Sequence, residues 1–115
     1  MRMIVAIIQP TKLALVRDAL QSIGVEQMTV CDALGYGRQR GQMASFRGNE
    51  YRVELLRKIE LEVVVSDDLV ESVIETIRRT ALTGSEGQIG DGKIFLIPIA
   101  DMINIADMRR GTGAL

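Results

Sequence analysis

The chain has 115 residues, and its 14 Lys and Arg against 15 Asp and Glu leave a net charge of -1, so nothing in its balance pulls it toward nucleic acid or an anionic membrane. It has no histidine and one cysteine, which removes the commonest acid/base at neutral pH, the commonest nitrogen ligand for metals, any intrachain disulfide and any imidazole-activated thiol at Cys31. The expectation is one domain over residues 1–115, non-enzymatic and cytoplasmic, because no apolar run reaches the length of a membrane span and Met1 to Ile8 is too short for a signal peptide.

In chain order, Ile4 to Ile8 is a short β-branched run, and Gln9-Pro10-Thr11 breaks it. Pro10 suits the opening of a helix, where its missing N–H is not needed. Leu13, Val16, Leu20 and Ile23 then recur at helical spacing, and Gly24 supplies the stop. Met28 to Leu34 can form a second strand. The segment from Arg38 to Lys58 differs in character, with Arg38, Arg40, Arg47, Arg52, Arg57 and Lys58 against Glu50 and Glu54. Met43, Phe46, Tyr51 and Val53 keep no period there, so a long, mobile loop is expected, either functional or a solvated hairpin tip.

The first pattern then returns. Ile59, Leu61, Val63 and Val65 alternate as a strand, Ser66-Asp67-Asp68 offers capping oxygens and negative charge, and Leu69, Val73, Ile77 and Ala81 form an apolar helical stripe. Lys93 to Ile99 supplies a fourth strand. Two β-α-β units of this length suit an α+β ferredoxin-like sandwich, with four antiparallel strands and both helices on one face. Strands apolar on nearly every residue leave the other face to be covered by self-association, so a homo-oligomer is expected.

Between the second helix and the fourth strand lies Thr83-Gly84-Ser85-Glu86-Gly87-Gln88-Ile89-Gly90-Asp91-Gly92-Lys93. Glycines let backbone amides converge on an anion, and a lysine adds a point charge, so the segment reads as a phosphate cradle or as a glycine-rich connection with a surface lysine. It is not a Walker A loop, because one residue separates Gly90 from Gly92 and Ile94 follows the lysine. A second glycine-flanked basic segment, Gly35-Tyr36-Gly37-Arg38-Gln39-Arg40-Gly41, falls at a strand end in the other half. Together the two segments can hold a polyphosphate, with Arg38 and Lys93 taking charge and Gln39 offering a neutral metal or ligand contact. Taken alone, Lys58 and Glu62 read as solvated charges beside a strand.

Over essentially its whole length the chain resembles the PII nitrogen-regulatory signal-transduction family, through Gly35 to Gly41, Phe46-Arg47-Gly48-Asn49-Glu50-Tyr51 and Ile89-Gly90-Asp91-Gly92-Lys93-Ile94-Phe95. The resemblance implies a homotrimer of ferredoxin-like subunits whose clefts between subunits bind ATP or ADP, with 2-oxoglutarate joining when Mg-ATP is present. By that likeness Arg38, Gly90, Asp91, Gly92 and Lys93 match phosphate-binding positions, and Ile7, Thr29, Gly35, Gly37, Glu62 and Val64 match those around base and ribose. Gln39 matches the position that meets Mg at the nucleotide, and Gln39, Arg40, Gly41 and Lys58 match those that hold 2-oxoglutarate. Tyr51 aligns with a residue that is nucleotidylylated in some members, and Ser45 is a further candidate for phosphorylation.

The same likeness implies a non-catalytic sensor that controls a partner through its long loop. An ammonium transporter, a nitrogen-metabolism enzyme or a nitrogenase-control component would be such a partner. Three departures stand out. Ser85 to Gln88 lengthens the nucleotide loop by about three residues, a change that surface loops absorb at low entropic cost. Two family arginines fall on Asn104 and Ala106, leaving Arg109 and Arg110 as downstream substitutes, and Glu60 replaces a commonly basic position. These departures suit an alternative, a divergent PII-like adaptor that responds to ADP, AMP or another small ligand in carbon or transport regulation.

Overall fold

A computed structural model describes the backbone of residues 1–40 and 51–115 and the side chains of residues 1–36 and 55–115. Its elements run β1 (Arg2–Ile8), a 3-10 turn (Pro10–Lys12), α1 (Leu13–Ser22), β2 (Thr29–Arg40), β3 (Tyr51–Val65), a second 3-10 turn (Asp67–Leu69), α2 (Val70–Ala81) and β4 (Gly92–Pro98). The strands form one antiparallel sheet in the order β2-β3-β1-β4, the arrangement expected of a ferredoxin-like α+β sandwich.

Strand alternation decides which face is buried. Ile4, Ala6 and Ile8 of β1 lie opposite Val63, Leu61 and Ile59 of β3. All six pack in one buried cluster with Val16 and Leu20 of α1 and Val73 and Ile77 of α2, so both helices cover the same side. Each Val, Leu or Ile of this cluster taken out of water contributes about 1.5–3 kcal/mol.

Pro10 opens a 3-10 turn rather than the helix itself, and Lys12 donates back to Gln9 across it. Gly24 ends α1 at φ 95°, where Gly24 N–H bonds the Gln21 carbonyl and Val25 N–H bonds that of Leu20. The expected cap at Ser66 takes another form. The Ser66 hydroxyl donates to the Asp68 carboxylate and makes no cap bond to the backbone, and Asp67 instead pairs with the Met1 ammonium at 3.0 Å.

The expected loop from Arg38 to Lys58 is corrected by the register. Residues 38–40 and 51–58 belong to strands, with Arg38 opposite Val53, Gln39 opposite Arg52 and Arg40 opposite Tyr51. Where the ribbon runs past the helices, the face that carries Leu34, Tyr36 and Leu55 meets no helix, so apolar residues there mark no buried side and the period that signals a strand is lost. Leu34, Tyr36 and Leu55, at 69%, 75% and 63% exposed, show this directly. Gly41, Ser45 and the rest of residues 41–50 lie outside the described residues.

The face opposite the helices carries Val5 and Ile7 of β1, Glu60, Glu62 and Val64 of β3, and Lys93, Phe95 and Ile97 of β4. Phe95 and Ile97 stand 48% and 40% exposed there.

Candidate functional site

The sheet register sets two rows of side chains on the open face. In one, Thr29 of β2 lies beside Glu62, Glu62 beside Val5, and Val5 beside Phe95; in the next, Cys31, Glu60, Ile7 and Lys93 follow in the same way. Val64 is one row further on, opposite Met3. Ile7 and Lys93 are therefore direct cross-strand neighbours, as are Thr29 and Glu62.

Glu60 and Glu62 stand two residues apart on this face. A hydrogen bond between them, partial burial and their mutual repulsion all hold the Glu60 carboxyl above the ordinary glutamate range. The residue noted as out of pattern in the sequence thus sits one row from a predicted site residue.

The glycine loop is built around Asp91. Its carboxylate accepts the Thr83 amide at 2.9 Å, the Thr83 hydroxyl, and the Gln88 amide at 2.9 Å. Burial opposes the charge, but these donors and nearby Lys12 outweigh it and hold Asp91 below its ordinary value. The Asp91 amide is also used within the loop, donating to the Gln88 carbonyl at 3.2 Å. The Asp91 carboxylate therefore shapes the cradle from within. The amides of Ile89 and Gly90, by contrast, meet no acceptor among the described residues.

Where the loop joins β4, Gly92 has φ 126°, and a Cβ there would lie 1.7 Å from the Ile7 carbonyl oxygen. No other residue lets the chain pass so close to β1.

Two lysines fasten the loop from outside. Lys12 donates to the Leu82 carbonyl at 3.3 Å, and Lys58, 8% exposed, donates to the Gly90 carbonyl at 2.8 Å. Burial lowers the Lys58 pKa, an effect that Asp91 partly offsets. Among the described residues no carboxylate is within ion-pair range of the Lys58 ammonium. The Lys58 stem crosses Gly35, where a Cβ would come within 3.2 Å of its Cγ. Lys58 thereby brings together Gly35 and Gly90, one from each glycine-flanked segment.

The remaining predicted residues are placed apart. Gly37, Arg38, Gln39 and Arg40 extend along β2, and Arg38 is five residues beyond Ala33, the partner of Lys58, or about 16 Å along the strand. Tyr51 pairs with Arg40 at the far end of the ribbon, and Gly41 lies outside the described residues.

Two clefts divide the rest. One of about 440 Å³ is lined by Thr29, Glu62, Val64, Asn104, Ala114 and Leu115. The other, of about 260 Å³, is lined by Ile7, Asp91, Gly92 and Lys93, with Ile77 and Arg78 of α2. Neither cleft holds both sets. Of the downstream arginines, Arg110 gives Nε and Nη2 to Asp101 at 2.9 and 2.6 Å, and Arg109 pairs with Asp107 at 3.4 Å. Both are held by their own segment.

Lys12 and Thr83 escaped the sequence reading. The Lys12 contact spans 70 residues and leaves no local signal, whereas Thr83 stands at the first position of the glycine-dense stretch.

Residues 1–109 match the family model described as Nitrogen regulatory protein P-II. The chain is 47% identical over 115 residues to the nitrogen regulatory protein P-II of Bradyrhizobium diazoefficiens, covering 100% of both. It is 49% identical over 105 residues to that of Klebsiella oxytoca, covering 91% of each, and 44% identical over 115 residues to that of Azospirillum brasilense, covering 100% of both.

Proposed function

Since the chain belongs to the nitrogen regulatory protein P-II family, we propose that it is a non-catalytic cytoplasmic sensor of ATP and ADP, with 2-oxoglutarate as effector of the Mg-ATP form. The observation that carries this reading is the meeting of Gly35 and Gly90 across Lys58, beside two amides that meet no acceptor among the described residues and one row from Lys93. Such a corner suits a polyphosphate: amide hydrogens and an ammonium meet the anion, while Asp91 is satisfied by its own loop.

The division of the site argues for a homotrimer in which clefts of neighbouring copies complete each other. Thr29, Glu62 and Val64 of one copy would supply the base end, and Ile7, Gly90, Gly92 and Lys93 of the next the phosphate end. The exposed Phe95 and Ile97 would be covered in the same assembly. Gln39 would meet Mg, and Gln39, Arg40, Gly41 and Lys58 the keto acid. That requires the β2–β3 arm to fold toward Lys58, so ligand would bias the arm between conformations according to its differential affinity for them. The arm would dock on a regulated protein such as an ammonium transporter or a nitrogen-metabolism enzyme, with Tyr51 available for modification.

Calorimetric titration of ATP, ADP and AMP, with and without Mg and 2-oxoglutarate, tests the reading alongside light scattering for the trimer. Synergy between Mg-ATP and 2-oxoglutarate is expected. Nucleotide binding without synergy favours the second reading, a PII-like adaptor tuned to ADP or AMP. The neutral Asn104 in the larger cleft and the engagement of Arg109 and Arg110 by their own carboxylates support that second reading. No nucleotide binding at all would overturn the first reading and leave the second only in its form with another small ligand.

A further inference from the structure

We infer that Lys58 is a positioning residue for the glycine loop, fixing the orientation of the Gly90–Asp91 peptide, next to the Ile89 and Gly90 amides, before any keto acid arrives; this rests on the nucleotide reading above. The peptide joining Gly90 to Asp91 is held at both ends, its carbonyl oxygen by the Lys58 ammonium at 2.8 Å and its N–H by the Gln88 carbonyl at 3.2 Å. Gly90 sits at φ 98°, and a glycine peptide can turn over at little steric cost, so these two bonds decide which way the unit faces.

The geometry around the lysine is built for this contact. The side chain is 8% exposed, and Gly35 leaves its stem the space that a Cβ 3.2 Å from Cγ would take. Among the described residues the buried ammonium serves one neutral carbonyl, which leaves two N–H groups for an incoming anion.

Lys58→Met keeps the stem and removes the charge, and Lys58→Arg keeps the charge. The full chain would be followed by amide hydrogen exchange without ligand and by calorimetry with ATP, lacking Mg and 2-oxoglutarate. Faster exchange in Lys58→Met at Asp91, whose N–H is bonded to the Gln88 carbonyl, unchanged exchange in α1 and α2, and ATP affinity lowered about tenfold are expected, with recovery in Lys58→Arg. Loop exchange at the wild-type rate with unaltered ATP affinity would overturn the inference and leave Lys58 to the keto acid alone. Should the wild type bind no adenine nucleotide, the functional reading falls and the exchange rates alone decide the positioning role. Should Lys58→Met fail to fold, Lys58→Leu takes its place: faster exchange at Asp91 there supports the role, and wild-type exchange overturns it.

Discussion

Asp91 accepts from both the backbone amide and the hydroxyl of Thr83, eight residues earlier, and so closes the glycine loop on itself. Asp91→Asn keeps the shape but loses the charge that strengthens those bonds. A loss of about 2 kcal/mol is expected from denaturant unfolding, and Thr83→Val should lose about 1 kcal/mol. The pH dependence has a definite sign. Because folding holds Asp91 below its ordinary 3.8, its contribution is present above that value and is lost as pH falls through the folded one. Wild type should therefore lose stability below about pH 4 more steeply than Asp91→Asn, and equal acid slopes would refute the account.

Gly92→Ala places a methyl group 1.7 Å from the Ile7 carbonyl at a left-handed φ. The strand junction must shift, and a loss of at least roughly 3 kcal/mol is expected, read as a lowered denaturant midpoint. A midpoint within error of wild type would show that β1 and β4 do not approach as described.

Glu60 holds its proton more tightly folded than its ordinary 4.5, first through the hydrogen bond with Glu62. Between those two values the folded chain binds more protons, so this contribution to stability is fully present below about pH 4.5 and is lost as pH rises. Glu60→Gln should flatten that slope and raise stability at neutral pH. Urea midpoints from pH 4 to pH 8 check both, and an unaltered profile would count against the pairing.

Asp101 binds Arg110 through two guanidinium nitrogens on a partly exposed surface. Asp101→Asn should change stability by less than about 1 kcal/mol, as exposed ion pairs do. If the engagement of Arg110 tunes ligand choice, the freed arginine should raise affinity for ATP more than for AMP in calorimetry. A ratio equal to that of wild type would remove the clasp from the recognition argument.

What the sequence disclosed follows burial. Ile59, Leu61, Val63 and Val65 announce their strand because one face meets the helices, and Val73, Ile77 and Ala81 announce theirs because one stripe meets the sheet. Tyr51 to Lys58 did not, because a ribbon with exposed Leu34, Tyr36 and Leu55 follows backbone pairing without a hydrophobic period. At the candidate site, Gly90 to Lys93 were visible as a local string. The fastening of that string was not, since Lys58 reaches it from 32 residues away and Lys12 holds Leu82, just before the loop, from 70, and contacts at such separations leave no trace in local spacing.

With Thr83 and Asp91 clasped at its base, the exposed stretch Gly84 to Glu86 hangs from a fixed frame. Its length is thereby uncoupled from the position of Gly92 and Lys93, which makes it a natural insertion point for a fluorescent reporter that leaves the neighbouring architecture undisturbed.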